Sequence, residues 1–140
     1  MASSSRFALG THVLVSLALR ADEVVPSETL AASVNTNPAF LRQIIGQLRE
    51  AGLVRSKLGT GGGSLLARPA ASITLDEVYR ATETRPVVAL HHSEPHRTCL
   101  VGRNIVPVLE GVLARAEGAL LEELRRVSIA ELARQVCKRG

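Results

Sequence analysis

The chain has no tryptophan, one tyrosine and two phenylalanines in 140 residues, so aromatic packing cannot build its core. Leu, Val, Ile and Ala must do so, a composition that favours helices packed on helices. Cysteine is as scarce. Cys99 and Cys137 lie far apart and outside any CxxC pair, which excludes a disulfide framework and fits a reducing compartment. Long apolar runs are missing too: nothing approaches the ~20 unbroken residues of a membrane span. Arg6 followed by the mostly apolar stretch 7–19 loosely imitates a secretion signal, but Gly10, Thr11 and His12 interrupt it and no A-x-A site follows. The expectation is a cytoplasmic protein of one compact domain, with no membrane partner.

The formal net charge is +4, and residues 1–68 hold +3 of it, seven Arg or Lys against four acids. A basic excess confined to one half suits a polyanionic partner met by that half.

Apolar spacing predicts a first helix over 5–19, with Phe7, Leu14, Leu17 and Ala18 toward the core. Ser27 reads as the N-cap of a short second helix over 28–33. Asn37-Pro38 is a stronger start signal, because Asn caps well and Pro at the first helical position lacks only an N–H that has no partner there. This third helix should run to Ala51, with Gly52 as its stop. Leu41, Ile44, Ile45 and Leu48 form its buried stripe; Ala39, Gln43, Gly46 and Glu50 lie opposite, flanked by Arg42, Gln47 and Arg49. Strands over 53–57 and 64–67, joined by the Gly-rich segment 58–63, read as a hairpin.

Thr74-Leu75-Asp76-Glu77 has the capping-box pattern and opens a helix to about Thr82, and 83–102 reads as a loop. A long helix is expected from Asn104, as N-cap, to Val127, with Pro107 in its first turn. Its apolar residues, including Ile105, Leu109, Val112, Ala116 and Leu120, cover an arc of roughly 160 degrees, wider than a seam against one neighbour needs. Ser128-Ile129-Ala130-Glu131 is a second capping box, opening a final helix that ends near Lys138. The expected fold is mainly α with a small β-hairpin. A winged helix-turn-helix occupies 1–82, a linker or sensor loop 83–103, and a dimerisation helix with a C-terminal helix 104–140.

Two short helices joined by a tight turn and followed by a Gly-tipped hairpin supply the parts that DNA reading requires. The third helix would enter the major groove. Its start, Asn37, Pro38, Ala39 and Phe40, with Ser27 nearby, would offer N–H groups to phosphate, while Arg42, Gln43, Gln47 and Arg49 could reach base edges or backbone. Arg55, Lys57, Gly61, Gly62 and Arg68 of the hairpin would meet phosphates or the minor groove. The Gly tract fits neither a phosphate-binding loop, which needs Gly-Lys-Ser/Thr, nor a dinucleotide fingerprint, whose last Gly would fall on Ser64. A winged helix used only for protein contacts and a Cys99/His enzyme are the other classes; for the second, no acid orienter or oxyanion element is present in the sequence, so no catalytic residue is assigned.

Phe40-Leu41-Arg42-Gln43, Leu48-Arg49-Glu50-Ala51-Gly52-Leu53-Val54, the segment 59–63 with Leu65-Leu66-Ala67-Arg68, and Ile73-Thr74-Leu75-Asp76-Glu77-Val78 together resemble the Rrf-two family of bacterial winged helix-turn-helix regulators. The likeness spans almost the whole chain. It implies a sequence-specific DNA-binding transcriptional regulator, in the repressor mould, acting as a homodimer held by the long helix on an inverted repeat in double-stranded DNA. The chain has Leu58 where many members carry Arg just before the wing glycines, and Ser64 where they carry an aromatic; Arg55 and Lys57 supply charge nearby. Cluster-binding members place three Cys about six residues apart before the dimer helix. Here Cys99 resembles the last, and Val87 and Ser93 stand at the others. A cluster needs several thiolates, so the expectation is no iron–sulfur cluster, the cluster-free branch and no metal. His91, His92, His96 and Cys99 nevertheless share one loop; metal chelation, an oxidisable Cys99 and an ordinary loop are the readings open for it, with Cys99, His92 and His96 as the sensor candidates.

Overall fold

Helix α1 (Arg6–Leu19) is buried along one whole side, and the rest of the head is assembled against it. The structure is a computed structural model describing residues 4–140, and those residues form six α-helices, a 3-10 turn and a two-stranded sheet. Val13, Leu14 and Leu17 of α1 meet Leu30 of α2 (Ser27–Val34), Leu41, Ile44 and Leu48 of α3 (Pro38–Glu50) and Val78 of α4 (Leu75–Thr82), all at most 2% exposed. Phe7 and Ala18, expected in the core, are half-buried at its edge, and Val13 takes the central place.

Helix α2 begins one residue earlier than expected. Pro26 is its cap residue, its carbonyl accepting from Thr29 and Leu30, so Ser27 lies within the first turn and makes no capping bond. Helix α3 follows its sequence signals: Asn37 caps, Pro38 is the first helical residue, and Gly52 leaves the helix at φ +76°. The wing is an antiparallel pair, β1 (Val54–Lys57) and β2 (Gly63–Leu66), in which Val54 faces Leu66 and Lys57 faces Gly63. The hairpin is anchored by a third segment that sequence patterning does not reveal, since Val25 and Ser64 exchange backbone hydrogen bonds of 2.9 and 2.8 Å.

The Thr74 box does not form in its reciprocal shape. The Thr74 hydroxyl donates to the carboxylates of Asp76 and Glu77, and Glu77 turns to Arg68. Helix α5 (Leu100–Arg125, 26 residues) starts four residues before Asn104, which is therefore no N-cap; its side-chain amide donates to the Leu100 carbonyl instead. Pro107 consequently lies well inside the helix, where it removes the N–H that the Arg103 carbonyl would otherwise accept. Helix α6 (Ile129–Arg139) is capped as expected, Ser128 Oγ accepting from Glu131 N at 3.1 Å.

Helix α6, which follows α5 in sequence, packs on the head. Ile129 is fully buried in the head, Ile129 N donates to Ile73 O at 2.9 Å, and Leu75 N to Val127 O at 3.0 Å. Helix α6 thus lies on α1 and closes the head, leaving α5 as an excursion between two parts of one core. Among the described residues no helix is long and apolar enough to cross a membrane.

Candidate nucleic-acid interface

The start of α3 differs from the expected row of free N–H donors. Asn37 Oδ1 accepts from Ala39 N at 2.8 Å and from Phe40 N at 3.4 Å, and Pro38 has no N–H to offer. A short polar side chain placed at the N-cap satisfies its own helix before any ligand can. Asn37, Pro38 and Ala39 remain exposed and leave room for a backbone to approach, but the amides of Ala39 and Phe40 are already bonded.

Beyond the cap, the 3.6-residue repeat divides the free surface of α3 into three strips. Gln43 is exposed at its centre, beside Ala39, Gly46 and Glu50. Arg42 and Arg49 lie on the flank toward the wing, where Arg49 Nη1 donates to Ser56 Oγ of β1 at 3.0 Å. Arg42 and Arg49 thus make a basic edge on α3, whereas Arg55 and Lys57, exposed on the same strand, alternate with Ser56 and turn to its other face. Gly61 is open at the wing tip, and Gly62 closes the turn by donating to Gly59 O at 3.0 Å. Arg68 stands apart from this edge: its guanidinium pairs with Glu77 and donates to Ser72 O at 2.9 Å, which fastens the wing to α4. Ser27 is half-buried below the wing anchor.

The opposite flank contains a residue that sequence reasoning missed. Arg6, at the start of α1, lies with its guanidinium 5.0 Å from the centroid of Phe40, and its Nη1 donates to Gln47 Oε1 at 3.1 Å. Phe40 and Gln47 are seven residues apart and so on one face, but nothing in periodicity says which helix covers that face. Behind Arg6, Glu83 Oε1 accepts from Phe7 N at 3.0 Å and from Ser4 Oγ at 2.9 Å, tying the start of α1 to the end of α4. Phe7 packs edge-on to Tyr79 with centroids 6.0 Å apart; burial first, then Glu117 and Glu83, hold the Tyr79 phenol above its ordinary pKa. An open cleft of about 1180 Å³ separates this flank from the loop and α5, with Arg85, His92 and Leu120 on its far wall.

The sensor candidates are not gathered into one cluster. Cys99 is exposed and precedes the first residue of α5, His92 faces the cleft, and His96 Nδ1 sits 2.7 Å from Thr98 Oγ1. Arg97, placed near Cys99 by sequence, pairs with Glu94 instead. Among the described residues no three His, Cys, Asp or Glu side chains come together to hold a metal ion.

No residue of α5 is buried. Ile105 and Leu109 are half-buried, Val112 and Ala116 exposed, and Leu120 turns toward the head to line the cleft. Leu100, Val101 and Val108 are more than 60% exposed, leaving an apolar helix largely open to solvent.

Comparison with known proteins agrees with this geometry. YwnA of Bacillus subtilis, which bears the name of an HTH-type transcriptional regulator, is 35% identical over 129 residues, covering 92% of this chain and 95% of that protein. The regulator CymR of the same organism is 32% identical over 98 residues, 68% of this chain and 71% of its own length. The oxidized form of Staphylococcus aureus CymR superposes with a TM-score of 0.70 at 27% identity, covering 95% of this chain and 96% of that one. The family model Rrf2, described as an iron-dependent transcriptional regulator, matches residues 3–135. The match extends along nearly the whole sequence, and the chain belongs to the Rrf2 family of transcriptional regulators.

Proposed function

We propose that the chain is a cytoplasmic, homodimeric repressor that reads an inverted repeat in double-stranded DNA with α3 and steadies itself on phosphates with the wing. The observation that carries this reading is the free face of α3, where Arg42, Gln43 and Arg49 are exposed, with the exposed cations Arg55 and Lys57 on the adjoining wing. A helix bearing guanidinium and amide groups can address base edges in the major groove, and strand cations meet phosphates without regard to sequence. Two-fold assemblies read two-fold sites, with the two helices about 34 Å apart along one face of the duplex. Selection of bound fragments from a random DNA pool tests the reading directly. It stands if the selected fragments share an inverted repeat and falls if they share nothing.

On the selected site, Arg42→Ala and Gln43→Ala are expected to cost about 1–3 kcal/mol each and to relax the base preference. Lys57→Ala should weaken binding to all sequences and flatten its salt dependence by about one unit of slope. Equal effects of all three on selected and random duplexes would contradict the division between base readers and phosphate contacts.

The family description names iron, and the residues present do not fit it. The loop supplies a single thiol, Cys99, and His96 is engaged by Thr98. We assign the chain to the cluster-free members and place its signal in the loop 85–103, with oxidation of Cys99 as the input. An exposed thiol at the junction of loop and α5 is open to peroxide, and a change there bears on the helix that sets the spacing of the two heads. Anaerobically purified protein should show neither cluster absorbance nor stoichiometric iron. Mild peroxide should change DNA binding by the parent and leave Cys99→Ser unaffected; an unchanged parent would retire the thiol.

A further inference from the structure

The function proposed for α3 leaves Gln47 in an unusual position for a base reader, because its amide already has a partner on another helix. Arg6 reaches it from the start of α1, with Nη1 3.1 Å from Gln47 Oε1, while the plane of the same guanidinium covers the Phe40 ring at 5.0 Å. Guanidinium has donors and no acceptor, so the atom of Gln47 facing it must be the oxygen. The nitrogen, with its two N–H groups, is turned the other way. A free glutamine at this place could adopt either amide orientation and read adenine with both ends at once, accepting from N6 and donating to N7. Gln47 held by Arg6 has one oxygen lone pair occupied and its amide orientation fixed, so its N–H groups lead.

We propose that Arg6 is a positioning residue that determines specificity: by holding Gln47 Oε1 it fixes the amide orientation and turns the N–H groups outward, which favours guanine N7 and O6 or thymine O4 as partners. The hold is two-sided. Phe40 is half-buried with the Arg6 guanidinium carbon over its ring, and Phe40 and Gln47 lie two turns apart on one face of α3, so one side chain braces the whole flank. The start of α1 is itself fixed, because Glu83 bonds both Phe7 N and Ser4 Oγ. Arg6 is thus set on a secured helix end, not on a loose terminus. Lysine could donate to the same oxygen but could not present a planar group to Phe40.

This inference rests on α3 being the reading helix, and its test separates the two. Binding to the selected site and to a random duplex is compared for the parent, Arg6→Ala, Arg6→Lys, Gln47→Ala, Gln47→Glu and the Arg6→Ala/Gln47→Ala double variant, with melting temperatures recorded. Arg6→Ala and Gln47→Ala are each expected to weaken the selected site about ten-fold and leave the random duplex unchanged, and the double variant should be no worse than either single one. Arg6→Lys should fall between parent and Arg6→Ala. Gln47→Glu should keep its pairing with Arg6, and so the melting temperature, yet lose the selected site. Pool selection repeated with Arg6→Ala should raise the share of adenine at one position of each half-site, because the freed amide can take either orientation. Additive losses in the double variant, or equal losses on both duplexes with a shallower salt slope, would overturn the proposal and make Arg6 a phosphate contact. A lower melting temperature with unchanged base preference would overturn it and make Arg6 a packing residue. If Arg42→Ala and Gln43→Ala relax specificity while Arg6→Ala does nothing, this inference alone fails; if none of the α3 variants alters specificity, the reading of α3 fails.

Discussion

Replacing Leu109 and Val112 together with glutamate is expected to leave the chain folded but monomeric at micromolar concentration. Affinity for the inverted repeat should fall by about 10²- to 10⁴-fold, the gain that linkage of two binding units confers. Helix α5 spans 26 residues with none of them buried, and Val112 is 46% exposed and Val108 61%. An apolar helix that finds no cover within its own chain needs it from outside, and each aliphatic side chain fully covered contributes roughly 1.5–3 kcal/mol. Glutamates at 109 and 112 would face their own copies across a two-fold axis, so desolvation and like-charge repulsion oppose pairing together. Neither side chain belongs to the core of the head, which is why folding should survive. Sedimentation or light scattering reads the mass and circular dichroism the fold; a folded dimer in the double variant would refute the assignment of α5 as the pairing helix.

The largest expected loss of stability comes from one methyl group on the wing. A Cβ on Gly63 would stand 2.3 Å from the Val25 carbonyl oxygen and 2.8 Å from Pro26 N, both of them backbone atoms that cannot swing aside. The adjacent Ser64 is held to Val25 by two hydrogen bonds, so relief requires breaking the anchor of the hairpin. Gly63→Ala should therefore cost about 3 kcal/mol and lower the melting temperature by about 10 °C. Gly61→Ala is the control. At φ +74° it has a strained backbone but open space around it, so its cost should stay near 1 kcal/mol. Equal melting temperatures for the two variants would show that the close approach to Val25 is not what the glycine serves.

Where the structure agrees with sequence reasoning, the signal is local. Asn37, Pro38 and Gly52 act within a few residues of themselves, and Leu41, Ile44, Ile45 and Leu48 report their face by spacing alone. The departures come from partners distant in sequence or from competition for one group. Asn37 was legible as a cap, yet the same side chain consumes the amides expected to meet phosphate. Arg68 resembles the other wing cations until Glu77, nine residues on, claims it. Asn104 is a good cap residue by type, but α5 begins earlier because the loop folds against it: a Cβ on Gly102 would lie 2.2 Å from His96 O, so only glycine lets the backbone of the loop lie on the first turn. The contact of Arg6 with Gln47 spans 41 positions, and no periodicity within either helix points to it.

The placement of Ile129 in the head governs how the protein is made. Leaving the core after Thr82, the chain builds the whole of α5 before it returns with Ile129 to fill the space beside Ile73. During synthesis the head therefore lacks a fully buried aliphatic side chain, a deficit of about 2–5 kcal/mol, until α5 has left the ribosome. A chain whose head is complete has therefore already made all of α5. On the proposal that α5 is the pairing helix, the order of synthesis would keep half-made molecules from competing with finished dimers for single half-sites.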